Sequence, residues 1–222
     1  MNGYPATGIR LGIDNFSAEA YAPLGPNLKP ELAITGVNFG ANGDSTVSIS
    51  GTVGAARYAA KRGIPAIALS GSFGRHVGWN DSQLTGKNSD ALAVAKTYAT
   101  LATSLVKQVI KSAGCSSVFL PRGTFMNINF PDASPSTGCD NPAKFKWVLA
   151  YTKLNNETAA PDVAQGSCTR IPNEGEVLSK DNQSKCLISL SLGRAEDLGV
   201  ASVEDHKTVL KRLAGWGDWA CL

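Results

Sequence analysis

An α/β fold built on parallel strands is what this sequence predicts, and three observations predict it. The first is an apolar strand, a Gly- and Asn-rich loop, a helix and a second apolar strand in succession over residues 32–69. That order is a βαβ unit, whose strands run parallel and whose crossover is right-handed. The second is a long helical periodicity over 90–112, and the third is a set of short extended runs in the second half of the chain. The 222 residues suffice for one sizeable core, and 43% apolar with 18% charged residues is ordinary for a globular protein. The chain is read as one domain, 1–222, with an extended arm over about 145–194.

Taken in order, Leu32, Ala33, Ile34 and Val37 make the first strand, and the Gly-, Asn- and Ser-rich residues 38–49 have no apolar period, so they read as a loop. Ser50 is a good N-cap for a helix over 50–61, which Gly63 ends. "IPAIAL", 64–69, is the second strand. Leu92, Ala95, Tyr98, Ala99, Ala102, Leu105, Val106, Val109 and Ile110 recur at helical spacing, with Ser89 or Asp90 as cap and Gly114 as stop. Residues 117–120 and the alternating 125–130 read as extended, as do 146–151 and 186–192. The polar stretch 155–184 between the last two is the arm or lid. Ser202 and Asp205 have capping-box spacing at the start of a helix over 202–213. His206 is read there as structural or exposed, Trp216 and Trp219 as packing residues, and Lys207, Lys211 and Arg212 as a solvated basic face.

A loop that leaves the C-terminal end of a parallel strand and feeds a helix is where α/β proteins bind ligands. The first turn of a helix presents unpaired N–H groups and a partial positive charge. Ser50, Gly51 and Thr52 add two hydroxyls and a residue that lets backbone approach closely, which suits phosphate or another oxyanion. The competing reading makes Ser50 a cap and Gly51 a turn residue only. Asn38 ends the first strand, and its carboxamide oxygen can ligate a hard cation or hold a substrate group, or the side chain can simply bond its own loop. Gly36 and Gly40 permit tight turns around it. No G-K-[ST] loop and no G-x-G-x-x-G fingerprint is present. Ser72 lacks a nucleophile-elbow setting, and His76 beside Arg75 is a weaker candidate for an acid, a base or a phosphate donor.

The stretch "PELAITGVNFGAN…SGTVGAARYAAKRGIPAIALS" closely resembles the SurE family of metal-dependent phosphatases and nucleotidases. "MNINFPD" (126–132), "GYPATGIRLGI" (3–13) and, more weakly, "CLISLSLGR" extend the resemblance over most of the chain. It implies a three-layer, Rossmann-like, mostly parallel sheet with a C-terminal β-arm or hairpin and a helix. It implies hydrolysis of nucleoside monophosphates or similar phosphate esters with a divalent metal, magnesium or manganese. Carried over position by position, it makes Asn38 a metal ligand, makes Ser50, Gly51 and Thr52 the phosphate site, and has Gly40 and Asn42 shape the loop between them. Arm exchange in a homodimer is a further implication.

The family pattern begins with a strand ending in N-D-D-G, whose aspartates hold the metal. No Asp-Asp pair occurs in this sequence. The chain is therefore expected to be a fragment without the family's first strands, impaired in metal binding and turnover, with exposed sheet edges. The alternative is a non-catalytic phosphate- or nucleotide-binding relative.

A net charge of +3 argues against a nucleic-acid polymer as partner, and no run of about eighteen apolar residues is there to span a membrane. The first fourteen residues lack the basic start and apolar core of a signal peptide. Cys115, Cys139, Cys168, Cys186 and Cys221 form no CxxC pair, and Asn15, Asn80, Asn156 and Asn182 stand in N-x-[ST] sites. Together these point to a secreted or extracellular protein, with a cytoplasmic one as the alternative.

Overall fold

The computed structural model describes residues 3–25, 28–72, 89–114, 118–156 and 158–222. Among these, five strands form one sheet: β1 (Ala33–Phe39), β2 (Ala66–Gly71), β3 (Thr124–Phe130), β4 (Lys146–Leu149) and β5 (Leu187–Arg194), in the spatial order β1-β2-β3-β5-β4. Every neighbouring pair except β3 with β5 is parallel, as the βαβ reading predicts for β1 and β2. Helices α1 (Pro5–Leu11) and α3 (Gly51–Lys61) cover one face, and α4 (Ser89–Ala113) and α6 (Val203–Leu213) the other. The short α2 (Ser17–Tyr21) follows a π-helical turn, Gly12–Phe16.

Side chains alternate between the two faces of a strand, and the alternation decides what each layer can accept. In β2, Ala66 and Ala68 join Val53, Ala56, Ala59 and Ala60 of α3 in a core of small residues. Small side chains on both surfaces let helix and sheet come close. Ile67 and Leu69 point the other way and join Val94, Tyr98, Leu101, Leu105 and Val109 of α4. Fully burying one such Leu stabilises the fold by about 1.5–3 kcal/mol. Tyr98 stacks on Phe130 with ring centroids 5.3 Å apart and donates its hydroxyl to Pro131 O at 2.8 Å. Gly71 is needed beneath that ring, because a Cβ there would overlap it.

The helix ends follow local chemistry. Ser50 caps α3 by accepting from Val53 N at 3.1 Å, and Gly63, at φ 78°, terminates it. Ser202 and Asp205 form the expected capping box, and behind it His206 is fully buried, not exposed. Trp216 packs against Trp147 at 5.0 Å.

The segment expected to extend as a β-arm or hairpin does not do so. Because β4 and β5 are parallel, no hairpin turn joins them, and a crossover is required instead. That crossover carries α5 (Glu174–Val177) and a 3₁₀ helix, Lys180–Lys185, back onto the sheet. Disulfides Cys139–Cys186 and Cys168–Cys221 fasten it. Residues 118–120 are not a strand, and the predicted loop 38–49 contains the end of β1 and a 3₁₀ helix, Asp44–Ile49. β1 is an edge strand among the described residues, with Ile34 exposed on it. No described helix is long and apolar enough to cross a membrane. Arg75, His76, Asn80 and Cys115 lie outside the described residues.

Candidate active site

One end of the sheet is polar on the α3 side, and the sequence builds it by strict alternation. Asn127 and Asn129 on β3 and Ser189 and Ser191 on β5 occupy alternate positions, and all four are fully buried. Strand register sets Asn38, Ser70, Asn129 and Ser189 in one row across β1, β2, β3 and β5. Asn38 reaches that row through a register shift after Thr35. The shift passes through Gly36, at φ 103°, where a Cβ would overlap the Leu69 carbonyl.

The loop after β1 lies on this polar floor. Asn129 treats Asn42 as a strand neighbour would: its Oδ1 accepts from Asn42 N at 2.7 Å and its Nδ2 donates to Asn42 O at 3.1 Å. Asn127 Nδ2 donates to the same carbonyl at 2.7 Å, and Asn42 Nδ2 donates to Ser70 Oγ at 2.6 Å. Asn42 is thus spent on shaping the loop. Asn38 bonds its own loop through nitrogen, donating to Gly40 O at 2.8 Å, and Gly40 takes φ 109° to present that carbonyl. The Asn38 oxygen meets no protein donor among the described residues.

At the start of α3, Thr35 Oγ1 donates to Thr52 O at 2.9 Å, which ties β1 to the helix's first turn. The Ser50 hydroxyl serves Val53, so the amides of Gly51 and Thr52 are the ones that meet no acceptor among the described residues. Gly51 does permit a close approach, but the atom that approaches is Pro5 Cδ, 2.8 Å from where a Cβ would stand. α1 therefore forms one wall of the helix start. Thr52 is buried.

A residue that composition and spacing did not single out closes the site from below. Glu174 is fully buried, and its Oε1 accepts from Asn127 Nδ2 at 2.7 Å and from Ser191 Oγ at 2.5 Å. Its Oε2 accepts from Asp44 N at 2.9 Å. Burial pushes its carboxyl up to about 7; the bonds from Ser191, Asp44 N and Asn127 oppose that, while the Asp44 carboxylate adds to it. A capping-box spacing, Asn173 to Glu176, was the local signal that a helix starts here.

A hard divalent cation takes about six oxygen ligands. Among the described residues no three His, Cys, Asp or Glu side chains are grouped to hold one, and the Asn38 oxygen is a single neutral donor. These residues do not by themselves fit the metal that the resemblance implies.

The family model for survival protein SurE matches residues 1–157. This chain belongs to the SurE family. It is 36% identical over 134 residues to a 5'-nucleotidase SurE of Desulfatibacillum aliphaticivorans, covering 60% of this chain and 40% of that protein. It is 31% identical over 146 residues to an acid phosphatase of Yarrowia lipolytica, covering 64% of this chain and 38% of that protein. The chain thus spans about 40% of the length of the curated relatives it matches. Its fold matches that of a SurE protein from Aquifex aeolicus at a TM-score of 0.51 and 18% identity, covering 94% of this chain and 72% of the other.

Proposed function

We propose that this SurE-family chain supplies the anion-receiving part of a phosphomonoesterase acting on nucleoside monophosphates or similar phosphate esters. The observation that carries the reading is the first turn of α3, where the Gly51 and Thr52 amides meet no acceptor among the described residues, beside β1, whose last residues are Asn38 and Phe39. Amides in that position, with the partial positive charge of a helix start, suit the oxygens of a dianionic phosphate ester. Asn38 Oδ1 is the group that would join a divalent metal's ligands. A metal held there would supply polarisation of a phosphoryl oxygen. Family membership and the names of the relatives support the substrate class.

A second reading, a phosphate- or nucleotide-binding relative without turnover, is favoured by the lack, among the described residues, of three grouped His, Cys, Asp or Glu side chains. Hydrolysis of a generic phosphate monoester, followed with and without Mn²⁺ beside calorimetry with inorganic phosphate, separates the two. Metal-dependent release of phosphate supports the esterase. Phosphate binding without turnover or metal effect supports the binder, and no phosphate binding under any condition contradicts both. We also propose that the protein works in an oxidising compartment, which the two disulfides support, and that it forms a homodimer.

A further inference from the structure

The segment between Asn38 and the start of α3 is held at Asn42, on the polar floor, and again at Asp44. Asp44 starts the 3₁₀ helix Asp44–Ile49, which leads directly into Ser50, the cap of α3. On its other side, Gly43 and Asn42 lead back through Gly40 to Asn38. Asp44 has φ 48°, in the left-handed region that Asp enters more readily than most residues other than glycine. The crossover between β4 and β5 bonds both its amide and its carboxylate. Asp44 N donates to Glu174 Oε2 at 2.9 Å, and Gly175 N donates back to Asp44 Oδ2 at 2.8 Å. Lys153 N donates to Asp44 Oδ1 at 2.8 Å. Glu174 is itself fixed to β3 by Asn127 and to β5 by Ser191, whose hydroxyl lies 3.2 Å from Thr152 Oγ1.

We propose that Glu174 is a positioning residue, which holds Asp44 and the loop on either side of it in the anion-receiving conformation without touching the anion. The inference rests on the anion site proposed above. The clasp is sensitive to charge. Asp44 is the charged side chain that reaches Glu174; Asn127 and Ser191 are neutral, and Glu176 pairs with Arg170 at the exposed side of α5. A neutral Glu174 suits this fully buried place. Ionisation strengthens the single bond from the Asp44 amide, but burial and the neighbouring Asp44 carboxylate penalise the ionised side chain more, so ionisation favours opening of the whole clasp toward water. The clasp therefore closes in acid and slackens in alkali.

The test uses the full chain with sulfate, whose charge is constant between pH 5.5 and 8.5, and with amide exchange protection at Asn42 and Asp44. In the wild type, sulfate affinity and both protections fall by about tenfold as pH rises across that range. Glu174→Gln, neutral at every pH, flattens both profiles. Asp44→Asn, which removes the neighbouring negative charge, moves the wild-type midpoint to lower pH, and it decides the matter if the Gln variant does not fold. Sulfate binding that keeps the wild-type pH profile in Glu174→Gln, or a midpoint unmoved in Asp44→Asn, overturns the positioning role. Absence of sulfate binding at every pH overturns the anion site itself.

Discussion

Glu174 shows at the scale of one residue how a buried acid links stability to pH. Its folded-state value of about 7 lies above the 4.5 of an ordinary Glu, so the folded protein holds that proton more tightly than the unfolded chain does. The stability this confers is fully present below pH 4.5 and is lost as pH rises to about 7. The interval corresponds to about 3 kcal/mol at about 1.4 kcal/mol per pH unit. Denaturant unfolding of wild type and Glu174→Gln at pH 4.5 and pH 8 measures it. The wild type should lose about 3 kcal/mol relative to the variant between the two conditions; an equal difference at both pH values contradicts the assignment. Asn182 is a second case in which position changes what a motif means. Its amide is buried and donates to Glu176 O at 2.8 Å and to Ser179 Oγ, so this N-x-[ST] site has a structural task, whereas Asn15 and Asn156 are exposed.

At the scale of elements, much of the fold was legible because its signals are local. Ser50 and Gly63 mark both ends of α3, the apolar spacing from Leu92 to Ile110 marks α4, and the Ser202–Asp205 box marks α6. Leu105, fully buried between α4 and the sheet, is where that periodicity converts to energy. Leu105→Ala should cost about 2–5 kcal/mol, read as a lower denaturant midpoint with an unchanged slope; a change under 1 kcal/mol would show that α4 is not seated as described. What escaped the sequence is non-local. The alternation in "MNINF" and "LISLSL" was visible as strand, but the task of its polar face depends on Asn42, 87 residues before Asn129. Glu174 sat in a polar stretch with no apolar period, and its burial depends on Asp44, 130 residues away. Both are tertiary facts that no window along the chain contains.

At the scale of the whole molecule, the sheet is the scaffold and the crossover between β4 and β5 is the brace. Cross-links spanning 47 and 53 residues restrict the unfolded chain and fasten the crossover that carries Glu174. The candidate residues of the βαβ unit are ones the sequence singles out, and their environment is not legible in it. Ser50 turned out to cap, Gly51 to receive Pro5, and Asn42 to be spent on the floor, which leaves the Gly51 and Thr52 amides and the Asn38 oxygen without partners among the described residues. The account therefore stands on those amides receiving an anion. Titration of the ¹⁵N-labelled chain with inorganic phosphate, followed amide by amide, tests it most directly. Saturable shifts centred on Gly51 and Thr52 are the predicted result, and shifts that are absent there or centred elsewhere would contradict it.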